Sequence, residues 1–529
     1  MASAPGRRVR RSITDIQADY DAGNKKELED LMRAWNGIKE LGPNEFNGFF
    51  MIGGFHGEPF RGPGAQTPTW WGGYCQHGTV LFPSWHRAYL YRLENALRSI
   101  RGCESVTLPF LDETSDWSRQ NGIPRALTDE TFMLDGKPIA NPLRSFVLPA
   151  TIVDAVTGDN NLYTKPLRYE TVRYPLSGLV GTPDDRAKTE AHNVQFPTRE
   201  IQTALLNDNI RRWLNTSFTV GGRTVGLVYQ KFVNCLNAPN YTLFSNTTSA
   251  ANWNDKNPKA LVVALESPHN SIHLAVGGFD VPGQGDFSPI AGANGDMGEN
   301  DTAGLDPIFF FHHCFIDYVF WIWQRRHGLT DRLDIDPNDP GAKYDPQNNP
   351  PPAGVDPNAT MSLTTPLEPF FKEYGVPFTT ADVINIESQL GYTYGPGSLD
   401  GHTAAPQPMA LEAPAEPVQT VHVAGIDRSK IRGSFLIATW ADLEGKRQLI
   451  GIEPVLSRWQ VAGCANCQTR LRVSADLPLP PTAATGSVVV EVHTRDGLLG
   501  TGPSRESAGL IPGPLAIAAE EKPFTVEIR

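Results

Sequence analysis

The stretch from Tyr74 to Glu94, YCQHGTVLFPSWHRAYLYRLE, predicts a histidine-bearing helix around which the rest of the chain is organised. We expect Ser84 to cap this helix, because His86 and a series of apolar residues then recur at helical spacing as far as Ile100. His77 lies just upstream in a glycine-containing loop. Both imidazoles can therefore converge on one point, which favours a metal site over two unrelated core histidines.

A second histidine-bearing helix is predicted in DPIFFFHHCFID, from Asp306 to Asp317. Asp306 would cap it with Pro307 in the first turn, and the segment is apolar nearly all round, so we expect a central, buried helix. His313 would bind a metal, with Asp317 one turn later as its hydrogen-bonding support, and plain surface capping is the alternative for a pair at this spacing. We interpret His312 as a hydrogen-bonding neighbour and not as a ligand.

A third histidine-bearing helix is predicted in ALVVALESPHNSIHLAVGG, residues 260–278. Ser267 and Pro268 would begin it, and a Gly-Gly pair would end it. His269 and His273 are then four residues apart, which puts both imidazoles on one helical face, as metal binding requires.

With His56, which follows an earlier Gly-Gly pair, the chain offers two groups of three histidines. They are His56, His77 and His86, and His269, His273 and His313. Imidazole suits copper, zinc, iron or nickel, and three ligands leave positions open for another molecule. No carboxylate supplements either group, which argues against a hydrolytic zinc pair or a di-iron bundle. The sequence therefore favours a centre of two copper ions that binds dioxygen, between aromatic walls from Phe309, Phe310 and Phe320.

Composition and charge limit the choice of partners. At 529 residues the chain is too long for one ordinary domain. A formal charge of −12 and a pI near 5.5 argue against nucleic-acid and membrane partners and favour small neutral substrates. The N-terminus MASAPGRRVRRSITDIQ has no apolar segment typical of a signal peptide, so we expect a cytoplasmic protein. Six scattered cysteines suit reduced thiols or special chemistry better than a disulfide framework.

Three segments are predicted along the chain. Residues 1–395 would form a mainly α catalytic domain with long loops, in which the isolated His192 is interpreted as structural. Residues 396–420 are rich in Pro and Ala and would form a linker. Residues 421–529 contain a hairpin, GSFLIATWADLEGKRQLIGIE, and two further strand patterns, GSVVVEVHTRDG and PFTVEIR. A small C-terminal β-sandwich is therefore expected.

The two long histidine motifs resemble those of a known family. HGTVLFPSWHRAYLYRLE, residues 77–94, and DPIFFFHHCFID, residues 306–317, are similar to the two copper signatures of the tyrosinase, catechol oxidase and hemocyanin family. The resemblance covers roughly residues 19–394. It implies two copper ions as cofactors, one held by each group of three histidines, inside an antiparallel four-helix bundle.

The implied function is oxidation of phenols by dioxygen: o-hydroxylation of monophenols and oxidation of o-diphenols to o-quinones. In relatives that hydroxylate monophenols, residues placed like Glu266 and Asn270 hold a water that takes the phenol proton. Simple capping of the helix is the alternative role for both residues. A catechol or o-aminophenol oxidase without hydroxylation, and a hemocyanin-like oxygen carrier, are the alternative functions.

Two cysteine-containing features follow from the same resemblance. A cysteine placed like Cys75 forms a thioether with the histidine at the position of His77 in fungal and plant relatives, whereas a free thiol is the alternative here. Fungal relatives also carry a pair like Cys464 and Cys467 that is thought to pass copper to the active site. A structural turn is the alternative for that CANC segment.

Relatives with a C-terminal domain use it to cover the active site. We expect Leu456 and Trp459 to lie on the covering segment. Small phenols and dioxygen are the expected partners, a homo-oligomer and a copper chaperone are further predicted partners, and no nucleic-acid or membrane partner is expected.

Overall fold

The computed structural model describes most of the chain. The residues outside this description are 1–6, 58–72, 154–163, 221–222, 227, 285–294, 345–358, 404–418, 460, 462–466, 468–469, 481–482, 484–486 and 504–522. The helices α1 to α12 of the described chain span Ile13–Asp21, Lys26–Glu40, Phe49–Gly54, Phe82–Arg98, Asp116–Asn121, Pro183–Asn193, Arg199–Asn215, Val228–Cys235, Tyr241–Ser245, Thr247–Lys256, Glu266–Gly277 and Ile308–His327. No helix among them is long and apolar enough to cross a bilayer.

The strands β1 to β17 of the same part of the chain span Arg8–Arg10, Thr131–Leu134, Lys137–Ala140, Ile152–Val153, Thr164–Lys165, Ser217–Val220, Arg223–Gly226, Pro366–Phe371, Pro377–Thr379, Tyr392–Tyr394, Thr420–Asp427, Phe435–Leu443, Lys446–Val455, Arg472–Pro478, Val489–Thr494, Gly497–Pro503 and Thr525–Ile528. The first ten form two-stranded sheets at the edges of a helical core. The last seven form two larger sheets. A helical core with a sheet-containing C-terminal region is therefore confirmed.

The central helix is α12. Every residue from Ile308 to Gln324 is buried, as expected from a segment that is apolar nearly all round. The Asp306 carboxylate accepts the amide of Ile308 at 3.1 Å, and Gly328 ends the helix with φ 66°. This helix packs against α4, so two of the predicted histidine-bearing helices lie side by side.

Two predicted helix starts, at Ser84 and Ser267, are wrong by three residues and two residues. Helix α4 begins at Phe82, and Ser84 lies inside its first turn, where its hydroxyl contacts the carbonyl oxygen of Leu81 and Thr380 Oγ1. Helix α11 begins at Glu266, so Ser267 is not its N-cap. The Ser267 hydroxyl instead donates to Glu453 in the C-terminal region. In both places a tertiary partner takes the hydroxyl that a cap would use.

The Asp317 side chain supports the fold and does not contact His313, which contradicts the sequence prediction. Its carboxylate accepts Arg87 Nε at 2.5 Å and the hydroxyl of Tyr394 at 2.6 Å. Arg10, on β1, lies against the same carboxylate at 3.5 Å, and β1 pairs in parallel with β10. Asp317 therefore ties the N-terminal strand and the end of the helical region to the central helix.

The C-terminal region consists of two sheets, with strand orders β13-β12-β15-β16 and β14-β11-β17. The predicted hairpin is β12 and β13, joined at Glu444 and Gly445, both with positive φ (54° and 79°). Leu436, Ile452, Leu456 and Trp459 from this region belong to the same hydrophobic core as the helices. The two regions thus share one continuous apolar core.

The connection between the regions begins with a docked segment. The amide of Ser398 donates to Asp112 at 2.8 Å, and the amide of Leu399 donates to the hydroxyl of Tyr318 at 3.1 Å. Residues 404–418 lie outside the described residues. The boundaries at 395 and 420 therefore stay predictions.

Candidate metal centre

The first histidine group is built from two helices and a loop. His56 follows α3, His77 precedes α4, and His86 lies on α4. His56 Nε2 lies 3.2 Å from His77 Nε2, and ligand atoms of all three residues lie within 4.8 Å of one another. A Cβ at Gly57 would lie 2.0 Å from the carbonyl oxygen of Asp301, so the loop after His56 packs closely only because glycine stands there.

The second histidine group joins α11 to α12. His313 Nε2 lies 3.1 Å from His269 Nε2 and 3.3 Å from His273 Nε2. All three imidazoles are fully buried. The spacing of four residues on α11 therefore brings two rings to the ring carried by α12, as the sequence predicts.

The outer nitrogens of most of these rings have a partner. The Nδ1 atoms of His56, His86 and His273 contact the carbonyl oxygens of Asn300 (3.2 Å), Phe82 (2.8 Å) and Met297 (2.8 Å). Such contacts fix the tautomer, because an Nδ1–H that donates leaves the Nε2 lone pair free for a metal. His86 Nε2 is buried and has no hydrogen-bond partner among the residues that the structure describes, as expected of a nitrogen that a metal would use.

The two groups face each other. The rings of His86 and His313 stack with centroids 4.3 Å apart, and those of His77 and His269 are 5.3 Å apart. Phe309 stacks on His313 at 4.0 Å and forms the expected aromatic wall. All six imidazoles therefore border one space, as two neighbouring metal ions would require.

The other wall is different from the prediction. Phe82 lies 4.8 Å from His86 and 4.9 Å from His269, whereas Phe310 and Phe320 make their ring contacts with other aromatic residues. Phe310 lies on another face of α12, and Phe320 lies about three turns beyond Phe309, so of the three only Phe309 contacts the histidines.

Five of the six rings are neutral at neutral pH. Burial, together with neighbouring imidazoles, holds the pKa values of His56, His86, His269, His273 and His313 well below the ordinary value. A neutral imidazole is the form that binds a metal.

His77 differs because two acidic side chains adjoin it. Burial lowers its pKa, but Cys75 and Glu266 outweigh burial and raise the pKa to about 9. The Cys75 side chain is hydrogen-bonded to His77, and the pKa of Cys75 is lowered to about 7, since Arg458 and His77 outweigh burial. The predicted Cys75 and His77 pair is therefore brought together.

Glu266 and Asn270 lie on the first two turns of α11 beside the histidines. Glu266 Oε1 accepts His77 Nδ1 at 3.1 Å and the Gly78 amide at 2.8 Å, and Oε2 accepts the amide and hydroxyl of Thr247. Asn270 Oδ1 lies 2.9 Å from His269 Nδ1. Each residue thus holds a different histidine group.

His312 lies next to the second group, with its ring 5.1 Å from that of His269. Its Nδ1 lies 2.6 Å from Glu113 Oε1, and both side chains are buried. This agrees with a hydrogen-bonding neighbour, although a ligand atom of His312 also lies within 4.8 Å of those of the second group. Glu113 was missed, because nothing in its surrounding sequence links it to a histidine 199 residues away.

A cavity of about 660 Å³ opens on this centre between the helical and C-terminal regions. His77, Glu266 and Asn270 line one side, and Leu456 and Arg428 line the other. Trp459 is buried nearby but does not line this cavity, and its amide donates to Asp301. Of the two residues predicted to cover the site, the structure brings only Leu456 to the cavity.

The structure describes five of the six cysteines. Cys467 is disulfide-bonded, while Cys464 lies outside the described residues. Cys75, Cys103, Cys235 and Cys314 are free and buried. The expectation of reduced thiols therefore holds for these four and is wrong for Cys467. The isolated His192 is buried and bonded to the carbonyl oxygen of Pro175, as a structural histidine would be.

A helical core that brings two buried groups of three imidazoles face to face defines a binuclear, histidine-ligated metal protein. The donor set fits two copper ions, because all six ligands are nitrogens and the described residues add no carboxylate to either group. Residues 47–326 match the common central domain of tyrosinase. The chain belongs to the tyrosinase family and is a copper-dependent oxidoreductase.

Similar proteins extend this result to the whole chain. The chain is 51% identical to Tyrosinase HcTyr2 of a Hahella species over 90% of its own length and 89% of that protein. It is 43% identical to a tyrosinase of Aspergillus oryzae over 92% and 93% of the two chains. The solved structure of a tyrosinase from Burkholderia thailandensis at low pH has a TM-score of 0.79 and 50% identity, and covers 93% of this chain and 96% of that one.

Proposed function

We propose that this enzyme hydroxylates monophenols at the ortho position and oxidises o-diphenols to o-quinones, with dioxygen as the oxidant. The observation that carries the proposal is the pair of facing histidine groups, with rings 4.3 Å apart at His86 and His313. His56, His77 and His86 would hold one copper ion, and His269, His273 and His313 the other. When bound, the two ions supply the electron transfer between the phenol and dioxygen.

The protein supplies orientation, a dry pocket and a proton acceptor. Buried rings with partnered outer nitrogens fix the inner nitrogens before any metal arrives. Phe309 and Phe82 exclude water from the space between the groups. Glu266 and Asn270 would hold a water that accepts the phenol proton, in support of which both residues line the cavity with His77.

The test is a colour assay with tyrosine, catechol and o-aminophenol. We expect turnover of tyrosine and catechol. Turnover of catechol without tyrosine would instead identify a catechol oxidase, and turnover of none at speed would identify an oxygen carrier. If Asn270→Ala leaves the ratio of monophenol to diphenol turnover unchanged, the proton-acceptor role of this residue fails.

The bundle around the centre would consist of α2, α4, α11 and α12 in antiparallel order. Helices α4, α11 and α12 carry four of the six histidines, and α2 packs against α4. The antiparallel order of these four helices is therefore a proposal, whereas the helical core is observed.

The Cys75 thiol would form a thioether with His77 once copper and dioxygen are present, in support of which the two side chains are hydrogen-bonded. Formation of the bond removes two hydrogens, so a peptide that spans both residues should be lighter by that mass. An unmodified peptide from copper-loaded enzyme would exclude the crosslink.

The C-terminal region would cover the active site, with Leu456 at the cavity as its support. The pair of Cys464 and Cys467 would carry copper to the site only after reduction, since Cys467 is disulfide-bonded. Full copper loading of a variant with serine at both positions would remove that role. A homo-oligomer and a copper chaperone stay predictions.

A further inference from the structure

We propose that Arg428 of the C-terminal region forms a carboxylate-binding subsite in the substrate cavity, so that the enzyme favours phenols that carry a carboxylate side chain. The proposal rests on the phenol oxidation proposed above and names its substrate class. Arg428 follows β11 directly and lines the same cavity as His77, Glu266 and Asn270. A substrate whose ring reaches the histidines would therefore have its side chain in the space that Arg428 borders.

The guanidinium of Arg428 has donors to spare. Its Nη2 donates to the Ser457 hydroxyl at 3.0 Å and to the carbonyl oxygen of Leu456 at 3.4 Å. Its Nε is buried and has no hydrogen-bond partner in the described part of the chain. No ion pair joins Arg428 to a carboxylate among the residues that the structure describes. Arg428 is half-buried, and leaving a buried donor of a cation without a partner is costly; burial lowers the pKa of Arg428 to about 10.

The acidic groups of the cavity are already engaged elsewhere. Glu453 is paired with Lys231, and Asp255 is paired with Arg529 at 2.7 Å. Both oxygens of Glu266 accept hydrogen bonds from His77, Gly78 and Thr247. None of these carboxylates contacts Arg428 directly. A carboxylate carried by the substrate would therefore neutralise the charge of its guanidinium.

Carboxylate is the chemistry that fits this group. Arginine presents planar donors that match the two oxygens of a carboxylate, and such charge-assisted hydrogen bonds are stronger than neutral ones. Two neighbouring arginines already have a carboxylate partner: Arg458 pairs with Asp301, and Arg472 pairs with Asp427. The free donors of Arg428 would therefore select an acid over its neutral amide of the same shape.

The experiment compares para-hydroxyphenyl carboxylic acids with their primary amides as substrates of the copper-loaded, full-length enzyme. For Arg428→Gln we expect KM for the acids to rise about tenfold to hundredfold, with KM and kcat for the amides unchanged. Arg428→Lys should restore part of the discrimination. Arg472→Gln is the matched control: it removes the same charge from the same cavity, but Arg472 is 70% exposed and already paired, so acids and amides should be unaffected.

A second measurement does not depend on turnover. Binding of phenylpropionate, which lacks the reactive hydroxyl, is compared with binding of its amide by calorimetry on the same enzymes. Tighter binding of the acid that disappears in Arg428→Gln supports the subsite. Equal loss for acid and amide would overturn it in favour of a purely structural role through Leu456 and Ser457, and no loss would overturn it outright. Failure of the proposed oxidation would appear instead as no turnover of either substrate by the wild type.

Discussion

The guanidinium of Arg458, from the C-terminal region, lies 3.1 Å from the sulfur of Cys75, two residues before the first histidine of the copper motif. The same Nη2 atom donates to the carbonyl oxygen of His56 at 3.1 Å. Arg458 also pairs with Asp301, and both side chains are at most 3% exposed. The C-terminal region is thus in direct contact with the loop that carries the first histidine group.

Removal of the Arg458 charge should destabilise the protein strongly. In Arg458→Met the Asp301 carboxylate would stay buried without its cation, which costs about 3–5 kcal/mol in unfolding free energy. Urea unfolding measures the change. The matched control is Arg125→Met: Arg125 pairs with Asp21 at 62% and 47% exposure, so its loss should cost less than about 1 kcal/mol. Equal costs for the two variants would contradict the prediction.

Copper content should separate the adjacent histidines of α12. We expect His313→Gln to bind one copper ion fewer than the wild type, because this ring faces His269 and His273. His312→Gln should keep the full content, since His312 is bonded to Glu113. The measurement is elemental analysis of variants whose circular dichroism matches the wild type. An equal loss of copper from both variants would make His312 a ligand.

Glu266 should control how tightly the first group holds copper. Glu266→Gln removes the charge that faces His77 Nδ1. Loss of such support typically weakens metal binding about 10–100-fold. Titration with a competing chelator measures the affinity. Glu453→Gln serves as the control, because Glu453 contacts Ser267 on the same helix. A similar loss in the control would trace the effect to the helix and not to the histidine.

Acid should unfold the protein in part through Asp317. Burial would raise the pKa of this carboxyl, but Arg87 and Arg10 outweigh burial and hold the pKa below its ordinary value. A depressed pKa adds stability above the unfolded pKa of about 3.9, and this stability is lost as the pH falls through the folded pKa. Asp317→Asn should therefore be less stable near neutral pH and lose less stability on acidification.

Urea unfolding of both proteins over a series of pH values tests this prediction. Asp496→Asn is the control, because Asp496 is 54% exposed in its pair with Arg432, and its curve should follow the wild type. Parallel curves for Asp317→Asn and the wild type would show that other groups cause the acid sensitivity.

Local pattern was sufficient for the histidine-bearing helices, the C-terminal hairpin and the two histidine groups. Helical periodicity around His86 and His313, and the four-residue spacing of His269 and His273, are properties of short segments. Local pattern was not sufficient for the helix starts predicted at Ser84 and Ser267. Their hydroxyls bond to Thr380 and Glu453, which lie in distant parts of the chain.

The sequence by itself determined the three histidine-bearing helices, the six candidate metal-binding histidines and the resemblance to the family, since each depends on residue type and spacing within a segment. Only the tertiary structure decided what surrounds those side chains: Asp317 supports Arg87 and not His313, Glu113 holds His312, and Arg428 borders the cavity. The physical reason is that periodicity specifies which face of a segment is buried, whereas the groups it meets depend on how distant segments pack.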